Sequence, residues 1–224
     1  MPTRPLLLGH RGARATGSIP ENTAASFDLA LKHGCDGFEF DLRRTKDGAA
    51  VLCHDPAVRN IPIAEAARES LSDLPLFEEI LKRYAGCAFL DIELKVPTLE
   101  EKVVSLLEQN VPQRGFVVSS FFPEILLELR ARSASTPLGL IADHSAHLAR
   151  WRELPVEYVI SHHRLTTAKL IADVHGRGRK LLVWTVNDRN AMRQFAAWKA
   201  DGIISDDTES LVRTLRKSEQ ELEL

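Results

Sequence analysis

The stretch GFEFDLRRTKDGAAVLCHDP, residues 37–56, decides how this chain is read. It opens as an apolar strand whose alternation sends Phe38 and Phe40 to one face and Glu39 and Asp41 together to the other. Two carboxylates about 5 Å apart repel by about 3 kcal/mol at an effective dielectric of about 20, so something must compensate them. Asp47-Gly48 then marks a tight turn, and residues 49–53 read as a short strand paired back on 37–42.

Outward from this stretch a rhythm repeats. Short apolar runs lie at 6–9, 37–42, 88–94, 116–119, 137–141, 156–160, 180–186 and 202–205. Between them the spacing predicts covering helices such as 22–33, 98–109, 123–132, 166–177 and 188–198. Alternating strands and helices predict a parallel sheet. Eight such units in 224 residues favour a (β/α)8 TIM barrel over an open doubly wound sheet. Nothing in the composition divides the chain, so a single domain over 1–224 is expected.

Composition excludes several classes. With 44% hydrophobic and 27% charged residues the chain is ordinary globular material, and its net charge of -2, spread along the length, offers no footprint for nucleic acid or for a membrane anchor. Cys35, Cys53 and Cys87 form no Cys-x-x-Cys pair, so they are expected to be reduced, buried packing residues. Leu6-Leu7-Leu8 is too short for a signal core or a membrane span, and a cytoplasmic setting is expected. Oligomeric state is not legible.

On a barrel, reactive side chains sit where strands end. Those positions carry His10 and Arg11, Glu39 and Asp41, His54, Glu93 and Lys95, Ser119 and Ser120, His162 and His163, Trp184, and Asp206. Glu39 and Asp41 have two readings. They pair with Arg43, Arg44 or another cation, or Glu93 joins them around a divalent ion, for which oxygen ligands suit Mg²⁺ or Ca²⁺. His10 and His54 can divide acid and base work. Arg11 and Lys95 supply positive charge, Arg11 able to grip two phosphate oxygens at once. Acids for a metal, cations for an anion and paired histidines together suggest phosphoryl chemistry. Trp184 is read as a wall of the substrate pocket and Ser120 as lining it, whereas His144, His147, His162 and His163 read as polar loop residues. No dinucleotide loop, P-loop or Gly-x-Ser-x-Gly elbow is present.

These residues resemble the glycerophosphodiester phosphodiesterase family. The likeness rests on His10-Arg11-Gly12, Glu21-Asn22-Thr23, Glu39-Phe40-Asp41, His54-Asp55-Pro56, Glu93-Leu94-Lys95, Ser120-Phe121, Trp184-Thr185-Val186-Asn187, and Asp201-Gly202 through Asp206-Asp207, in family order along nearly the whole chain. The resemblance implies a phospholipase-C-like barrel that hydrolyses glycerophosphodiesters to glycerol 3-phosphate and an alcohol, using one Mg²⁺ or Ca²⁺. By position it makes Glu39, Asp41 and Glu93 metal ligands, His10 and His54 the acid/base pair, and Arg11 and Lys95 phosphate contacts. It also implies attack by the neighbouring glycerol 2-hydroxyl, giving a cyclic phosphate that water opens.

One departure from the family pattern is that only residues 57–76 separate Pro56 from the next helix, a shortened insertion after the second strand. That leaves room for a bulkier diester and a lysophospholipase D type of reaction. A metal-assisted carbon-acid lyase or isomerase, and a barrel that only binds an anion, are the remaining alternatives.

Overall fold

The computed structural model describes residues 4–216. Among these, eight parallel strands close a ring: β1 (Leu6–His10), β2 (Gly37–Arg44), β6 (Phe89–Leu94), β7 (Phe116–Ser120), β8 (Leu138–Ala142), β9 (Tyr158–His162), β10 (Lys180–Trp184) and β11 (Gly202–Ser205). β11 pairs with β1, and β1 with β2, which closes the barrel and sets aside the open sheet. Three short strands lie outside it: β3 (Ala50–Leu52), β4 (Ala57–Val58) and β5 (Ile61–Pro62). The helices are α1 (Ala24–His33), α2 (Phe77–Tyr84), α3 (Glu100–Gln109), α4 (Pro123–Arg132), α5 (Ser145–Ala149), α6 (Ala168–His175), α7 (Arg189–Ala197) and α8 (Thr208–Leu215), one after each barrel strand.

Strand parity sorts the core into two layers. Outward positions such as Phe38, Phe40, Leu90, Ile92, Val118 and Leu140 meet the helices in one large cluster. Inward positions fill the barrel with Leu8, Phe89, Val117, Ile141, Tyr158, Ile160, Leu182 and Ile204. The outer layer is tightest behind β2, where Phe38 stacks on Phe27 of α1 with ring centroids 4.0 Å apart and meets Tyr84 of α2 edge-on at 5.0 Å. Each fully buried aromatic there stabilises the fold by about 1.5–3 kcal/mol. The inner layer is apolar only toward the bottom; above it, β1, β2 and β6 present polar side chains.

Local signals explain the ends. Thr23 caps α1 by accepting from the Ser26 amide, Gly34 ends it at φ 103°, and Pro123 occupies the first turn of α4. After β2 the chain returns as β3 through a loop over residues 45–49 rather than a two-residue turn; Thr45 Oγ1 accepts from the Ala49 amide and donates to Asp47. The short segment after Pro56 folds down beside β3. A small core of Val51, Ile63, Ala66 and Leu71 holds it, with the Lys46 amide donating to Ala66 and the Leu52 amide to Pro75. Of the cysteines only Cys35 is buried; Cys53 is half-buried and Cys87 exposed, so the packing expectation holds for one of the three.

Candidate active site

The parallel pairing of β1, β2 and β6 builds the site. Its register sets His10 beside Glu39, Glu39 beside Asp91 and Asp41 beside Glu93, all on the inner face. Glu39, Asp41 and Glu93 each offer a carboxylate oxygen within 4.8 Å of the others, and all three residues are buried. Burial and repulsion from Asp41 and Glu93 raise the Glu39 carboxyl well above its ordinary range. Burial and repulsion from Asp41 push Glu93 up to about 7. Asp41 moves the other way: burial opposes its charge, but Lys95, Arg11 and a hydrogen bond from Asn22 outweigh that and lower it.

The compensating cations are Arg11 and Lys95, not Arg43 or Arg44. Lys95 Nζ lies 2.7 Å from Glu93 Oε1 and 3.4 Å from Asp41 Oδ1. Arg11 Nε lies 3.2 Å from Asp41 Oδ2, and the Arg11 amide donates to Glu39 Oε2 at 3.0 Å. Arg43 instead donates to the backbone oxygen of His54, fixing the end of the hairpin. Arg11 holds φ 54°, a conformation that a non-glycine residue keeps only when its surroundings impose it. They do: Ser26 Oγ and the Asn22 amide both donate to the Arg11 carbonyl. Gly12 beside it, at φ 85°, has no room for a side chain, because a Cβ would stand 2.3 Å from Ser26 Oγ.

His10 is set by its partner. Nδ1 donates to Asp206 Oδ1 at 2.7 Å, which leaves Nε2 toward Glu39 Oε2 at 3.9 Å. Asp206, the residue after β11, also accepts from Asn187 at 2.7 Å and Arg14 at 3.2 Å. Burial opposes its ionisation, but the bonds from His10 and Asn187 prevail and hold it well below the usual carboxylate range. His54, at the end of the β3 hairpin, donates through Nδ1 to Asp55 at 2.8 Å and is half-exposed. Burial lowers its pKa despite the Asp55 bond.

Other positions sort by parity. Trp184, the last residue of β10, has its indole N–H on the Ile160 carbonyl and lies edge-on to Phe121 at 5.6 Å and to His162 at 5.4 Å. Ser120 is not brought into the site: it is fully buried on the outward face of β7, where Oγ donates to the Leu94 carbonyl and accepts from the Phe122 amide. The inward residue is Ser119, which donates to Asp91 at 2.6 Å. Asp91, one layer below the acids, is pushed up to about 7 by burial. Alternation along β6 puts it on the same face as Glu93, a signal available from the sequence. Glu21 and Asn22 were legible only as part of a motif; here Glu21 holds Arg11 at 2.9 Å, and Asn22 Nδ2 donates to Asp41 at 2.8 Å.

The acid cluster fits a hard divalent ion. Its donors are three carboxylates, Asp41 Oδ1 carries no hydrogen bond, and burial together with repulsion from neighbouring acids raises Glu39 and Glu93. Among the described residues no helix is long and apolar enough to cross a membrane.

Fold and site thus define a (β/α)8 barrel with a metal-competent acid cluster, two cations and paired histidines at its C-terminal mouth. The profile described as "Glycerophosphoryl diester phosphodiesterase family" matches residues 10–111 and 94–210. The chain belongs to that family and by that membership is a phosphodiester hydrolase. It is 28% identical to a glycerophosphodiester phosphodiesterase of Caldanaerobacter subterraneus subsp. tengcongensis, covering 95% of this chain and 98% of that protein. A glycerophosphodiester phosphodiesterase of Bacillus altitudinis is 25% identical over 89% of this chain and 94% of its own. Among solved structures, an Oleispira antarctica phosphodiesterase in complex with sn-glycerol-3-phosphate superposes with TM-score 0.82 at 24% identity, covering 95% of this chain and 97% of that one. At that identity the likeness is one of fold.

Proposed function

We propose that this chain hydrolyses glycerophosphodiesters to glycerol 3-phosphate and an alcohol, acting as one barrel domain with a single Mg²⁺ or Ca²⁺ held by Glu39, Asp41 and Glu93. The reading rests on one observation: three buried carboxylates meet within 4.8 Å, with His10 Nε2 3.9 Å from Glu39 and its Nδ1 tied to Asp206. An ion held by Glu39, Asp41 and Glu93 would supply positive charge against the phosphoryl oxygens.

The chain's own groups do the rest. Arg11 and Lys95 hold the phosphate oxygens, and both stay charged because the acids outweigh the burial that opposes them. With Nδ1 of His10 and His54 donating to Asp206 and Asp55, each ring keeps Nε2 for proton transfer. One Nε2 takes the proton of the attacking glycerol 2-hydroxyl as its oxygen bonds to phosphorus. The other gives a proton to the alkoxide as the phosphorus–oxygen bond to the alcohol breaks. Water then opens the cyclic phosphate with the two proton roles reversed. Carboxylates and cations on one wall favour this over carbon-acid chemistry, which has no use for paired histidines beside an anion site.

The test is glycerol 3-phosphate release from glycerophosphocholine with Mg²⁺, with Ca²⁺ and with chelator. Release that needs the ion and is lost in Glu93→Gln supports the reading; equal turnover in chelator overturns it. A second reading, lysophospholipase D type hydrolysis, is favoured by the segment after Pro56 lying against β3 on its own small core. It predicts more choline from lysophosphatidylcholine than from glycerophosphocholine at equal concentration.

A further inference from the structure

The opposite side of the mouth carries a second group of metal-ligating side chains, two on the loop after β8 and one on α5. Asp143, His144 and His147 offer ligand atoms that all lie within 4.8 Å of one another. The two imidazoles, one helical turn apart, stack with centroids 5.4 Å apart and an interplanar angle of 26°. Asp143 Oδ1 and His144 Nδ1 stand 2.7 Å apart, a hydrogen bond that a shared ion would replace. His147 in turn lies against Phe121 at 6.4 Å, nearly parallel at 20°. Three donors already converge.

We infer that Asp143, His144 and His147 form a binding site for a borderline divalent transition ion, zinc being the probe, separate from the three-carboxylate cluster. Donor chemistry separates the two. Imidazole nitrogens with one carboxylate are ligands for zinc, cobalt and nickel, whereas Mg²⁺ and Ca²⁺ take oxygen sites. Distance permits it: zinc bonds of about 2.1 Å in a tetrahedron set ligand atoms about 3.4 Å apart, a spacing that side-chain rotation reaches from donor atoms that already lie within 4.8 Å of one another. His144 and Asp143 are exposed and His147 is half-buried, so little burial opposes ion entry or that rotation. Three protein ligands leave a fourth position for water.

The ion's place has a consequence. Phe121, which His147 covers, also stands 5.6 Å from Lys95 Nζ, so an ion on the β8–α5 loop fixes a ring that borders the phosphate-holding cation. The inference does not rest on the proposed diesterase activity, and its test reads binding alone. Zinc is titrated calorimetrically into the full chain in a large excess of Mg²⁺. About one zinc per chain is expected, with a dissociation constant on the order of micromolar or below. The double variant His144→Ala with His147→Ala weakens it by about tenfold or more, while Glu93→Gln leaves it within about twofold. Absence of zinc binding, equal affinity in the double histidine variant, or loss of binding in Glu93→Gln would each overturn the assignment.

Discussion

The two faces of β2 carry opposite chemistry at one-residue intervals. Outward, Phe38 and Phe40 sit among Phe27, Tyr84 and Phe77 and do nothing but exclude water. Inward, Glu39 and Asp41 are as deeply buried but charged or protonated against Glu93 and Asp91. The comparison teaches that burial alone has no sign: the apolar face stabilises the barrel, whereas the acid face strains it until a cation fills the gap. The strained face persists because the apolar one, with eight strands closed in register, holds it in place.

That contrast can be broken from either side. The largest effect is expected from His10→Ala, which on the proposed mechanism removes one of the two proton carriers and lowers kcat by about 10²–10⁴-fold with the fold intact, read as glycerol 3-phosphate release. Phe38→Ala on the other face does the reverse. It destabilises by about 3–5 kcal/mol in urea unfolding, while turnover per folded molecule stays close to wild type.

Asp206→Asn tests a smaller step. Asp206 acts through His10 as a positioning residue, so kcat falls by about 10–100-fold with KM little changed. A KM rise without a kcat change would show that Asp206 serves substrate binding instead.

The acid face also predicts a pH dependence. Glu93 and Asp91 titrate at about 7 in the native state, and Glu39 is raised as well. Unfolded, such carboxyls titrate at about 4. Between these values the native protein holds protons the unfolded chain has released, so the stability of metal-free protein falls as pH rises from about 4 to 7 and levels off above. Saturating Mg²⁺ should flatten that fall, measured as urea midpoints at both pH values. The smallest effect isolates Asp91: Asp91→Asn stabilises metal-free protein at pH about 8 by about 1–2 kcal/mol and leaves pH about 4 unchanged. An equal gain at both pH values would assign the effect to packing rather than charge.

Much of this was readable from residue order, for stated reasons. Strand β11 falls on 202–205 and helix α4 on 123–132, as the apolar pattern predicts, because Gly202 and Pro123 mark their starts. Helix α5 escaped the pattern: at five residues it is too short to show a helical period. Glu39, Asp41 and Glu93 were legible because alternation plus strand ends suffices to find them. Ser120 was not, since a boundary one residue later exchanges it with Ser119 as the inward side chain. Asp206 stood at a strand end without a role, because its bond to His10 joins residues 196 positions apart.

By itself the sequence determined the alternation of strands and helices, the face on which each acid lies and the inventory of charged groups, since all of these depend on spacing along one segment. Only the closed barrel decided which acids lie close enough to share an ion, that Arg11 and Lys95 rather than Arg43 and Arg44 balance them, and which aspartate steadies His10. Those facts depend on register between β1, β2, β6 and β11, and register is set by the packing of the whole ring rather than by any one of its strands.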